Sequence, residues 1–219
     1  PEEIPLLPLR NTVLFPGVVL PITVGRDKSI KAVNEAYNKS DKLIGVLAQK
    51  DSSVEEPAVI DLESIGTIAR IVKLMKMPDG GTTVIIQGKS RFEVEEITGE
   101  EPFFKAKIKK LDEEEAPKDE DFNAYVSNIK DLAAEIVHLS PNIPSEASII
   151  MKNIENPSFL IHFVSSNLNT DLKDKQRLLE LNHIKERADL LMQLLQKELQ
   201  FAELKNKVTT KTRTEIDKQ

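Results

Sequence analysis

The chain has 219 residues, of which 40% are hydrophobic, with 30 Lys and Arg against 36 Asp and Glu. It contains no Cys, no Trp and two Tyr, which excludes disulfides, thiolate nucleophiles and cysteine zinc sites and leaves the core to Leu, Ile and Val. No apolar run reaches the ~20 residues of a membrane-spanning helix.

The first half reads as β. Ile4-Pro5-Leu6-Leu7-Pro8-Leu9 and Val18–Val24 are strand candidates interrupted by proline. Proline cannot donate to a ladder, so these strands are expected at an edge or bent. Between them, Leu14, Phe15, Val18 and Val19 crowd the turn signal Pro16-Gly17. Apolar side chains on a turn are either covered or left as a contact surface, and Leu14, Phe15 and Val18 form one candidate binding patch. Lys28–Tyr37 has helical spacing at Ile30, Val33 and Tyr37. Leu43–Ala48 has the length of a buried strand. Ile65–Met77 is a long strand joined by Pro78-Asp79-Gly80-Gly81, a hairpin turn, to Thr82–Gln87. Arg91–Glu95 and Phe104–Lys109 alternate, which gives each one buried and one wet face. Six or seven strands with one helix predict a small closed or nearly closed antiparallel barrel. Gly88-Lys89-Ser90 lacks the earlier glycine of a phosphate-cradling loop, since Thr83 stands there, and reads as a strand-to-strand turn.

The charge is uneven. Residues 1–111 carry 16 basic and 16 acidic side chains. The run Asp112–Asp121 holds seven acids and one Lys, and so accounts for the whole net charge of −6. Like charges repel, so this run is expected to be an exposed linker. The organisation follows: a β domain over 1–111, an acidic linker over 112–121 and a helical bundle over 122–219.

The second half reads as helix. Phe122, Val126, Ile129, Ala133, Ile136 and Val137 follow a 3.6 period, which Pro141 and Pro144 end. Ser145 can cap a short helix, and Asn156-Pro157 pairs a cap with proline at the first helical position. Thr170 can cap a helix holding Leu172, Leu178 and Leu179, and Asn182 can cap the last and longest one. There Ala188, Met192, Leu195, Leu199 and Ala202 repeat at 4-3-4-3 spacing, near a coiled-coil seam, and are the candidate self-association residues. The stripe thins to Val208 and Ile216, with no Gly or Pro to stop the helix, and a cut inside a longer helix is expected.

No catalytic constellation stands out. His138, His162 and His183 are scattered through helical patterns, and no Gly-x-Ser-x-Gly elbow is present. Asn38-Lys39-Ser40 matches a glycosylation acceptor by chance, because Glu2 and Glu3 stand where a signal peptide would be positive. A first residue of Pro points to a processed chain, and the expected location is the cytoplasm. The balanced β half lacks the basic stripe of a nucleic-acid binder. What remains is apolar surface: Met75, Met77 and Pro78 at the hairpin tip either fill a gap in the barrel core or, with methionine flexible and adaptable, form the first candidate patch.

Spaced motifs along almost the whole chain resemble the amino-terminal domain of Lon, the ATP-dependent protease. They include Ile4–Asn11, Phe15-Pro16, Pro21…Val24-Gly25-Arg26…Ser29, Ala48-Gln49-Lys50 and Gly66–Ala69. Further on come Leu74…Met77-Pro78-Asp79-Gly80, Gln87-Gly88…Arg91-Phe92, Asp174-Lys175-Gln176…Leu178-Leu179-Glu180 and Glu186-Arg187…Leu190-Leu191. The resemblance implies an α+β fold, a PUA-like β barrel followed by a helical bundle with a long C-terminal helix. It implies recruitment of unfolded or damaged proteins and support for a hexameric parent whose ATPase and Ser–Lys peptidase modules are absent here. ATP and Mg would serve that parent, and no cofactor is expected in this fragment. The alternative is a stand-alone Lon-like domain acting as a protein-interaction or coiled-coil scaffold.

Overall fold

Prolines set the layout of the sheet. In the computed structural model, which describes residues 3–217 with side chains through residue 211, β1 (Glu3–Leu9) runs inside the sheet rather than at its edge. Its first part, Glu3–Pro5, pairs antiparallel with β6 (Lys105–Lys110), and its second, Leu6–Leu9, pairs parallel with β3 (Leu43–Ala48). Each part has one ladder, so Pro5 and Pro8 can each turn their missing donor to the vacant side. The edge is β2 (Val19–Val24), which pairs only with β5 (Thr82–Gly99) and carries the exposed Pro21.

The strand order is β2-β5-β4-β3-β1-β6, with β4 spanning Ile65–Lys76, and β6 pairs again with β5. The sheet is mixed, not antiparallel as expected, because β1 and β3 are parallel. A crossover through β2 and α1 (Asp27–Tyr37) makes that possible. The two strands expected at Thr82–Gln87 and Arg91–Glu95 are one continuous β5. Ile4, Leu6, Leu47, Ile68, Phe92, Phe104 and Ala106 form the core between them.

Gly88 explains that continuity. A Cβ built there would stand 2.3 Å from the Phe15 carbonyl oxygen. Gly88 donates to Val18 O and accepts from Gly17 N–H, each at 2.9 Å. Gly17 has φ +80°, and Val18 N–H returns to Phe15 O at 3.2 Å, the pattern of a type II turn with proline at its first corner. Gly88-Lys89-Ser90 is therefore a strand segment against which a turn is pressed, neither a phosphate loop nor a turn of its own.

Six α-helices occur among the described residues. α2 (Glu120–Leu139) begins inside the run assigned to the linker, because Asp119 accepts the Phe122 N–H at 2.7 Å as its N-cap. Glu120 and Asp121 then occupy the first turn, where the helix dipole favours acids. α3 (Glu146–Lys152) follows, and α4 (Pro157–Asn167) opens with Asn156 accepting the Phe159 N–H at 3.0 Å. Ser145 precedes α3 without a side-chain cap bond. α5 (Leu172–Glu180) is followed by α6 (Ile184–Asp217).

The chain forms two compact units, 1–113 with 171–180, and 114–170 with 181–219. The first unit thus takes α5, which the sequence reading put in the helical bundle. Arg91 and Gln176 hold it: Arg91 Nη1 donates to Leu179 O at 3.0 Å, and Gln176 Nε2 to Ile65 O at 2.9 Å. In the second unit, Phe122, Ile129, Ala133 and Ile136 of α2 are buried, as are Ile184, Ala188, Leu191 and Leu195 of α6. Burying these two stripes drives the pairing of the long helices.

Candidate functional site

The turn patch is inside the protein. Leu14, Phe15 and Val18 are 2%, 0% and 7% exposed, so they are core residues and cannot receive a partner. The contact of the 15–18 turn with Gly88 carries them inward.

The hairpin patch is at the surface and is larger than its tip. Register places Thr23, Thr83 and Met75 in one row, Pro21, Ile85 and Lys73 in the next used row, and Val19, Gln87 and Arg70 in a third. Alternation puts these three rows on one face of β2, β5 and β4, opposite buried Val84, Ile86 and Ile71. Val72 falls at an irregularity between Ile71 and Lys73 and is 55% exposed. Val19 is 52% exposed, Met77 is 44% exposed, Pro78 is exposed, and Met75 and Ile85 are half-buried. The tip is ordered by Met77 N–H to Gly81 O at 2.8 Å, Gly80 at φ +90° and Gly81 N–H to Asp79 Oδ1 at 2.9 Å. The sequence reading named Met75, Met77 and Pro78 as a candidate patch and Val19 as apolar beside the 16–17 turn, but did not join Val19 to that patch and did not name Pro21, Val72 or Ile85. The signal was the alternation within each strand, but which strands adjoin could not be read from it.

The self-association stripe is mostly spent within its own unit. Ala188 and Leu195 are 0% and 2% exposed, and Met192, Leu199 and Ala202 are half-buried. The exposed apolar residues of α6 are instead Phe201, Leu204 and Val208, spaced 3 and 4 apart on one helix face. The Ile216 side chain lies outside the described residues.

No reacting centre assembles among the described residues. His162 is buried with Arg187 Nη1 3.4 Å from its Nε2, and His183 Nδ1 lies 3.1 Å from Glu114 Oε2. Among the described residues no three His, Asp or Glu gather as metal ligands, and no helix is long and apolar enough to cross a membrane. A groove of about 710 Å³ lies beside Arg10 and Arg26. Arg26 gives its hydrogen bonds to Gln49 Oε1, Pro8 O and Glu55 O, and Arg10 to Ser52 O. Burial, and then Arg10, lower the Arg26 guanidinium from its ordinary value.

The family model described as the ATP-dependent protease La (LON) substrate-binding domain matches residues 3–197. The chain is 52% identical to the Lon protease of Flavobacterium johnsoniae and 48% identical to that of Cytophaga hutchinsonii, in each case over 100% of this chain and 27% of the relative. It thus spans about a quarter of the length of these curated relatives. The fold is similar to the N-terminal domain of the Mycobacterium avium complex Lon protease, with a TM-score of 0.73 at 20% identity, covering 89% of this chain and 98% of that one.

Proposed function

The chain belongs to the Lon substrate-binding domain family, and from that membership we propose that it recruits unfolded or damaged proteins for degradation by ATPase and serine peptidase modules carried elsewhere in a Lon-type parent. The single observation that carries this reading is the apolar outer face of β2, β5 and β4. A folded protein rarely leaves Val19, Val72 and Met77 together in water without a use. Unfolded chains expose the aliphatic and aromatic side chains that such a face can cover, and methionines adapt to many of them.

In this reading the domain itself breaks no bond and needs no cofactor, while ATP and Mg serve the parent. The ring of pairings from β5 through β4, β3, β1 and β6 back to β5 supports a small PUA-like barrel. The parent acts in the cytoplasm, as a hexamer. A permanently unfolded model protein, titrated with the 219-residue chain in a fluorescence anisotropy assay, should bind, and its native form should not. Equal failure of both forms to bind contradicts the reading.

A second role has its own observation. Phe201, Leu204 and Val208 leave one face of α6 open, which supports helix-mediated assembly of the parent or a stand-alone scaffold. Sedimentation at rising concentration tests it: association that Leu204→Asp abolishes favours it, and a strict monomer at every concentration contradicts self-association through this helix.

A further inference from the structure

The apolar face carries charge of one sign. Val19–Val24 of β2, residues 70–76 of β4 and residues 82–89 of β5 contain no acid, and their cations on this face are Arg70, Lys73 and Lys89; Lys76, paired with buried Thr82, belongs to the other face. Arg70 and Lys73 lie in the same rows as Val19 and Pro21, and Lys89 follows Gln87 by one alternation, with its Nζ 3.1 Å from Gln87 Oε1. These three cations are exposed except where that one bond is made. Among the described residues none of the three has a carboxylate within ion-pair distance, although lysines elsewhere in the chain do, as Lys28 with Glu101 and Lys31 with Asp27. The β unit is nearly balanced overall, so this local excess is a feature of the face and not of the domain.

Protection of a sheet edge does not account for all of it. Lysines often guard exposed edges against stray pairing. Here the edge strand β2 has no charge at all, and Arg70 stands where β4 is paired on both sides, while Lys73 lies beyond the last β3 pair, on a stretch of β4 paired with β5 alone. Cations placed beside Pro21, Ile85 and Met75 instead surround the surface that an apolar segment would cover.

We infer that this face selects extended, unfolded segments in which apolar side chains are flanked by Asp or Glu, over equally apolar segments flanked by Lys or Arg. The inference rests on the substrate-recruiting reading and adds the substrate's charge pattern to it. The apolar residues supply contact area, and the unpaired cations supply discrimination and faster encounter. Covering a free lysine with a basic segment would bring like charges together in a region losing its water, which is unfavourable. Nucleic acid is a poorer occupant, because the centre of the face is aliphatic and has no aromatic ring on which a base could stack.

The experiment uses the 219-residue chain and three fluorescent unstructured peptides. Two share one Leu/Phe/Val core, flanked by Asp/Glu in one and by Lys/Arg in the other, and the third is acidic with a Gly/Ser core. The acid-flanked apolar peptide should bind about tenfold more tightly than the base-flanked one at low salt. The gap should close at about 1 M salt, where the Debye length is about 3 Å. Arg70→Gln with Lys73→Gln should narrow it by several fold in a protein whose circular dichroism and melting are unchanged, with Lys89→Gln as a second variant. Equal binding of both apolar peptides at low salt overturns the charge preference and leaves apolar recruitment standing. Binding of neither apolar peptide overturns both. Binding of the Gly/Ser peptide, or of an RNA oligonucleotide, as tightly as the acid-flanked apolar peptide shows a general anion surface and overturns the inference.

Discussion

Arg91 Nη1 donates a 3.0 Å hydrogen bond to the backbone carbonyl of Leu179, 88 residues further along the chain. Leu179 lies in the last turn of α5, where carbonyls have no partner within the helix. A buried guanidinium thus satisfies the end of a helix and fixes it to the β unit. Arg91→Met should cost about 1.5–3 kcal/mol, the worth of a hydrogen bond to a charged group. Gln176→Met, which loses the neutral bond to Ile65 O, should cost about 0.5–1.5 kcal/mol. Urea denaturation of the two variants checks the order, and an Arg91 variant as stable as the Gln176 one would contradict it.

Gly88→Ala should destabilise the protein by at least about 1–3 kcal/mol, the ordinary cost of overpacking. The added methyl would meet a backbone oxygen rather than a yielding side chain. Thermal melting checks this. Adding a nucleoside triphosphate should leave the melting point of the wild-type chain unchanged, since Gly88-Lys89-Ser90 is strand.

Phe15→Ala should cost about 3–5 kcal/mol, because the ring is fully buried. Val72→Ser, at an exposed position of similar hydrophobicity, should stay within about 0.5 kcal/mol. Denaturant titration of the pair distinguishes core from contact surface, and near-equal stabilities would contradict the assignment.

Two carboxylates should act on stability with opposite sign. The Phe122 N–H, and then Lys185, lower Asp119 from the ordinary carboxylate range. Its contribution is therefore present above that range and is lost as pH falls through the lowered value. Burial, and then Glu63, raise Glu180. Its ionisation opposes folding, so stability falls as pH rises from the ordinary range through the raised value. Melting points measured against pH should show a weaker acid-side loss in Asp119→Ala and a weaker fall on the rising side in Glu180→Gln.

Much of the architecture could be read from residue patterns, and the failures have identifiable causes. The β-then-α order, the hairpin at Pro78–Gly81 and the Asn156-Pro157 helix start are local signals, set by residues close in sequence. The burial of Leu14, Phe15 and Val18 depends on Gly88, some seventy residues away, whose role is a close approach that no local pattern encodes. The place of α5 depends in the same way on Arg91. The acids of 119–121 looked like simple repulsion, yet they cap and begin a helix. Met75 and Met77 were legible as the tip of a hairpin, but whether they face water or fill the core was not, because that depends on which strands cover them. Val19, Pro21 and Ile85 joined them only once strand order and register were known.

The most direct test of the recruiting surface is the affinity of an unfolded protein for the folded Val72→Asp, Met75→Asp double variant, compared with the wild-type chain and with Phe201→Asp on α6. A loss of about tenfold or more, equivalent to about 1.4 kcal/mol, is predicted for the sheet variant alone. Undiminished binding by that variant, or an equal loss in the α6 variant, would contradict the assignment of substrate capture to the outer face of β2, β5 and β4.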